Sequence, residues 1–175
     1  YFSTGYGIKS QGEGGVGIAS PQDALSGASN PAGISQVDSR VDLGVTLFRP
    51  ERSSTITGNA GGNAVNGTYD GNRRKNFVIP DLAVVKTINP KLTIGLNIYG
   101  NGGMNTAYTT AVPLLGSSQA GVNLEQLFIS PTAAYKISER HALRASLIYA
   151  RQKFSATGLE NFTAYSTAPN NVTNL

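Results

Sequence analysis

Gly12, Gly14 and Gly17 spell G-x-G-x-x-G, with Asp38 downstream; in a dinucleotide site such glycines bring backbone N–H groups to a pyrophosphate and an acid to the ribose. That chemistry needs a strand before the glycines and a helix after them, so that the phosphate meets a helix N-terminus. Residues 1–11 hold Gly5, Gly7, Lys9 and Ser10 with no strand-like run, and Pro21 closely follows Gly17. Out of that context the fingerprint carries no nucleotide site. The Asn, Asp and Gly residues between Asn59 and Asn72 could offer oxygen ligands to calcium, yet without the spacing of a calcium loop. Arg73, Arg74 and Lys75 form the one dense basic cluster. Cysteine is absent and His141 is the single histidine, so thiolate sites, cysteine nucleophiles and a histidine metal cluster are excluded, and a Ser-His-Asp constellation has no support. Beside Arg140, His141 reads as a solvated turn residue.

The elements that must position these residues are unusual in composition. Charged residues are 14% of the 175, against about 25% in ordinary soluble domains, and glycine is abundant at 21. The net charge of +4 is too small and dispersed for a nucleic-acid surface. No apolar run approaches the roughly 18 residues of a transmembrane helix, but a membrane β-barrel needs only about 9–11 alternating residues per strand. The chain does not begin with Met, and the expectation is that a signal peptide has been removed.

Residues 1–37, with eight glycines and two prolines, predict a compact irregular segment. From Ser39 the period becomes two. Val41, Leu43, Val45 and Leu47 define one strand, and Phe77 to Ile88 a weaker second, interrupted by Pro80. The third is the clearest: Leu92, Ile94, Leu96 and Ile98 alternate with Thr93, Gly95, Asn97 and Tyr99, which predicts the first set for lipid and the second for a lumen. A fourth runs from about Leu124 to Ile137 across Pro131, and a fifth from Leu143 to Tyr149. Long links at 50–76 and about 100–122 alternate with tight turns at 89–91 and 138–141. Loop length segregated by end is the pattern of an outer-membrane barrel, with long extracellular loops and short periplasmic turns. A soluble β-sandwich is the alternative.

The N-terminal residues Gly5-Tyr6-Gly7-Ile8-Lys9-Ser10-Gln11-Gly12-Glu13-Gly14-Gly15-Val16-Gly17, then Pro21-Gln22-Asp23-Ala24-Leu25 and Asn30-Pro31-Ala32-Gly33, resemble the hatch of FadL-type transporters. These are outer-membrane proteins for long-chain fatty acids and, in a subgroup, aromatic hydrocarbons such as toluene. Pro80-Asp81-Leu82, the turn before Leu92, and Tyr149-Ala150-Arg151 with Lys153 extend the resemblance over nearly the whole chain.

The resemblance implies an all-β fold: a transmembrane antiparallel β-barrel of about fourteen strands, plugged by a hatch. Residues 1–37 would be the hatch, and 38–175 the first five or so strands. Five strands cannot close a barrel, and an open edge in lipid is costly, so the chain is expected to be the N-terminal part of a longer protein. Substrate would leave sideways through a kink in the third strand, expected at Tyr99, Gly100, Asn101, Gly102 and Gly103, since strand glycine marks a bend or bulge. Gly12, Glu13 and Gly14 with Asn30, Pro31 and Ala32 would form the gate, the tripeptide packing beside Gly100 to Gly103; the plainer reading of Asn30-Pro31-Ala32 is a turn. Glu13 would pair with Lys9 or Arg144, or line the substrate route. Phe77, Phe128 and Arg151 would lie along that route, and Arg73, Arg74 and Lys75 would meet lipopolysaccharide phosphate or stay solvated. Where fatty-acid carriers have polar or basic side chains, this chain has Gly100 and Ala156, which favours a neutral hydrophobic substrate. The expected protein is a passive, non-enzymatic channel of the Gram-negative outer membrane, monomeric at full length, embedded in the bilayer, with no cofactor and no nucleic-acid partner. The alternative is a structural or adhesive surface protein acting through its long loops.

Overall fold

The computed structural model describes residues 3–59, 63–139 and 141–165; Arg140 and the tail beyond Tyr165 lie outside them. The strands are β1 (Arg40–Phe48), β2 (Ser53–Ile56), β3 (Gly67–Asp70), β4 (Phe77–Asn89), β5 (Leu92–Ala107), β6 (Gly121–Lys136), β7 (Ala142–Ser146) and β8 (Tyr149–Thr157). One sheet has the order β1-β4-β5-β6-β7, with β8 also pairing β6, and β2-β3 form a separate hairpin. Where registers are defined, pairing is antiparallel: Leu82 opposes Ile98 and Thr87 opposes Thr93 across β4-β5, and Thr132 opposes Ser146 across β6-β7. Among the described residues no helix is long and apolar enough to cross a membrane.

Two differences from the sequence reading have local causes. The first long link contains the β2-β3 hairpin, with Ser53 opposite Asp70 and Ile56 opposite Gly67; its strands are short and polar and carry no apolar alternation. The fifth strand is broken into β7 and β8 around Leu147 and Ile148. Leu147 N–H donates to the Pro131 carbonyl at 3.1 Å, but proline has no N–H to return, and the ladder parts there.

The chain divides into two compact units. The first comprises Tyr1–Thr46, Val78–Gly102 and Gln126–Arg151. Its sheet is polar and small within, apolar without. Asp42 and Gly44 of β1, Asp81, Ala83 and Val85 of β4, Thr93, Gly95, Asn97 and Tyr99 of β5, and Phe128, Ser130, Thr132 and Ala134 of β6 are buried or half-buried. The opposite parity is apolar and exposed: Leu43 (80%), Val45, Val78, Ile94 (43%), Leu127 and Leu143. This inverts the soluble rule and suits a sheet with lipid on its outer face.

The second unit comprises Leu47–Phe77, Gly103–Glu125 and Gln152–Leu175. Arg52 organises it. Its guanidinium donates to the Asn105 and Arg74 carbonyls and lies over the Phe77 ring at 5.7 Å, while Phe77 tilts against Phe48 at 6.3 Å. Asn105 donates to Asn123 at 2.8 Å, and the Arg73 guanidinium donates to Gln119 Oε1 at 2.6 Å.

The long link expected from about residue 100 is corrected: β5 continues to Ala107. The irregularity is one of conformation, because Gly102 sits at φ +99°, a region that L side chains avoid. Valine at this position therefore cannot regularise the strand. Gly102→Val is expected to lower stability by about 1–3 kcal/mol, read as a lower urea midpoint for the folded, heat-modifiable band of the full-length protein in detergent. An unchanged midpoint would show that the left-handed backbone is not required.

Candidate functional site

The site grows from the N-terminal segment and the inner sheet face, both within the first unit. The helix α1 (Ile8–Gly12) ends on the first glycine of the motif, and Gly14 and Gly15 at φ +71° and +84° turn the chain away from it. The glycines thus serve a helix exit, and among the described residues no strand leads into them. Glu13 is exposed, and Lys9 Nζ reaches the Gln22 carbonyl at 3.4 Å. Among the described residues the ion pair formed is Arg40–Asp42, at 2.7 Å, so Glu13 pairs with neither Lys9 nor Arg144. After α2 (Ser26–Ser29), Asn30 Nδ2 donates to the Ile18 carbonyl at 2.7 Å and its Oδ1 accepts from Ala32 N–H at 3.1 Å. The Asn30-Pro31-Ala32 turn is therefore closed by its own side chain.

Asp42 and a small apolar core hold the segment to the sheet. Asp42 Oδ2 accepts from Ala24 N–H at 2.8 Å, tying the backbone just before α2 to β1. Ala24, Leu25 and Ile34 pack with Ala83, Val85 and Ala134. Glycine permits the close approach: a Cβ at Gly27 would lie 2.5 Å from Asn97 Nδ2 and 2.9 Å from Ile34 Cγ2. Asn97 is 0% exposed, and among the described residues neither of its amide atoms has a hydrogen-bond partner, a cost of about 1–3 kcal/mol. Asp23 is buried beside this seat, and desolvation, then the Asp42 charge, pushes its carboxyl above the usual range.

An aromatic row runs from the segment onto the sheet. Tyr6 meets Tyr99 with centroids 4.6 Å apart at 58°, and Tyr99 stacks on Phe128 at 5.7 Å and 20°, separations at which rings attract beyond their area burial. The Tyr6 hydroxyl donates to Asn101 Oδ1; burial, then Tyr99, raises its pKa, which keeps it a neutral donor. Three expected site residues, Tyr99, Asn101 and Phe128, are thus brought together, next to Gly102. The residue of the segment that reaches them is Tyr6, whereas Asn30 bonds to Ile18 and Ala32. Gly100 packs against Ile79, 3.1 Å from where its Cβ would stand. Phe77 belongs to the second unit with Arg52, and Gly103 lies there under the Leu124 carbonyl, 3.2 Å from where its Cβ would stand. Arg151 is exposed on β8, Arg74 is exposed and Lys75 half-exposed. Among the described residues no group of three His, Cys, Asp or Glu could hold a metal.

Sequence reasoning missed Tyr6, Asp42 and Asn97 as site residues. Tyr6 is a lone aromatic in a glycine-rich stretch and has no periodicity. The inward parity of Asp42 and Asn97 on apolar strands was the available signal.

An antiparallel sheet with an apolar outer face and a polar inner face covered by an N-terminal segment defines a membrane β-barrel class built around its interior. The chain belongs to the family described as outer membrane protein transport protein (OMPP1/FadL/TodX), whose model matches residues 4–175. It is accordingly an outer-membrane protein of a transport family. No curated protein gives a significant match.

The Asp23 seat generates a pH prediction. With its folded pKa raised, Asp23 favours the seated segment fully below the ordinary carboxylate pKa, and that contribution is lost as pH rises through the folded value. The facing groups are Lys9 on α1, Arg40 and Asp42 on β1, and Asp81 on β4. Amide exchange of residues 20–30 in the full-length protein is expected to quicken across that window, and Asp23→Asn to flatten the dependence. An unchanged profile in the variant would assign it elsewhere.

Proposed function

We propose that the protein is a passive channel for small neutral hydrophobic molecules, with residues 1–37 as its hatch and lateral exit beside β5 at Tyr99 to Gly102. The observation that carries the reading is the row Tyr6, Tyr99 and Phe128, tied by Tyr6 to Asn101 one residue before the left-handed glycine. Aromatic faces attract apolar and aromatic solutes without demanding a charge. Gly100 and buried Ala156, where fatty-acid carriers offer polar or basic side chains, support a neutral cargo. The family's transport role supports a protein with no enzymatic step. Lipopolysaccharide excludes hydrophobic solutes, which is why a protein lane is needed, and Arg74 and Lys75 are the basic side chains best placed to meet its phosphates. At full length the barrel acts as a monomer.

Tyr6 is the latch in this reading. Its ring must leave Tyr99, and its hydroxyl must leave Asn101, before β5 can part from the segment.

Uptake of radiolabelled oleate and toluene by cells with and without the full-length gene tests the function, and equal uptake of both with and without it would remove the proposal. Tyr6→Ala is expected to raise basal permeability several-fold without loss of the folded band, and Tyr6→Phe, which deletes only the bond to Asn101, to fall between. Parental permeability in Tyr6→Ala would exclude the latch. Partner binding that survives deletion of residues 1–37, with no change in uptake, would favour the adhesive reading instead.

A further inference from the structure

On its outer face the first unit carries a groove that neither the hatch nor the exit uses. It has a volume of about 500 Å³ and is lined by Ile94, Pro131, Ala133, Ala145 and Leu147 among others. Its cause is local. Ala133 and Ala145 are cross-strand partners, so two methyl groups face lipid where neighbouring rungs present larger side chains. Pro131 breaks the ladder at the same level, and Ile94 and Leu147, 43% and 74% exposed, stand at the sides.

Beside the groove is a cation that a lipid-facing sheet does not need. Lys86 is the cross-strand partner of Ile94, and cross-strand partners share a face. It is exposed, and among the described residues it has no carboxylate partner. A charge on the lipid face is tolerated near the interface, where it can reach a headgroup. Lys86 lies just before the tight Asn89-Pro90-Lys91 turn, and Lys136 N–H donates to the Lys91 carbonyl at 2.8 Å, which brings the β4-β5 turn to the end of β6. Tyr135, 48% exposed, pairs with Leu143 at this end, where barrels place interfacial aromatics. Tight turns belong to the periplasmic side of an outer-membrane barrel.

We infer that this face binds one anionic glycerophospholipid of the periplasmic leaflet, an acyl chain lying in the Ala133-Ala145 groove and the phosphate meeting Lys86. The occupant follows from charge complementarity and from continuity with the lipid-facing sheet: the groove is apolar, so a free phosphate has no use for it, while an uncharged lipid has no use for Lys86. The inference rests on the outer-membrane placement of the chain.

The test uses the full-length protein, extracted from outer membranes in mild detergent, stripped of lipid and titrated by native mass spectrometry with dioleoylphosphatidylglycerol, dioleoylglycerol or inorganic phosphate. One phosphatidylglycerol is expected to bind in preference to the diacylglycerol, and phosphate should not displace it. Lys86→Gln should lower phosphatidylglycerol occupancy about fivefold, the effect of one lysine at an anionic surface, and leave diacylglycerol unchanged. Ala133→Phe, or Ala145→Leu should the first not give a heat-modifiable band, should lower both lipids by filling the groove. Wild-type phosphatidylglycerol occupancy in Lys86→Gln, or equal affinity of the parent for the two lipids, would overturn the site. Recovery of the parent protein outside the outer-membrane fraction would instead overturn the membrane placement, a separate failure.

Discussion

In hydrocarbon a peptide N–H or C=O left unpaired costs several kcal/mol, because no water is there to receive it. A chain that crosses with strands must therefore pair them continuously, and the sheet order β1-β4-β5-β6-β7 is what that demand makes of this sequence. Alternation then assigns the faces. Once Leu43, Val45, Ile94 and Leu143 take the lipid side, Asp42, Asp81, Asn97 and Ser130 have to take the other, and polar groups turned inward need a cover. Residues 3–37 provide it, with Asp42 meeting the Ala24 amide and Ile34 packing among Ala83, Val85 and Ala134. The row Tyr6-Tyr99-Phe128 is the apolar part of the same contact.

Where one residue breaks the alternation, the break has a function or a consequence. Pro131 removes one donor, splits β7 from β8 and leaves the rung at which the outer groove lies. Gly102 keeps β5 in the sheet while its backbone turns through a region closed to other residues. Gly102 is one residue from the Asn101 side chain that Tyr6 holds.

Much of this was legible in the residues. Val41 to Leu47 and Leu92 to Tyr99 announce strand and face together, because period two fixes both. The hairpin of Ser53–Ile56 and Gly67–Asp70 was not legible, since its Ser, Thr and Gly residues bury no face and so leave no pattern. The β5 end was misplaced because glycine reads as a stop, whereas Gly100 and Gly103 are in the strand for close approach to Ile79 and to the Leu124 carbonyl. Family resemblance pointed to Asn30-Pro31-Ala32, whose residues spend their hydrogen bonds on one another and on Ile18. Tyr6 escaped because a single ring among glycines becomes meaningful only when the chain brings Tyr99 to it.

The order of the strands bears on biogenesis. The N-terminal segment is bound by β1, β4, β5 and β6, sheet neighbours that follow one another along the chain with only the β2-β3 hairpin inserted between the first two. A growing sheet that adds these strands in sequence can thus capture the segment on its inner face as they pair, so that the sheet and its cover form together.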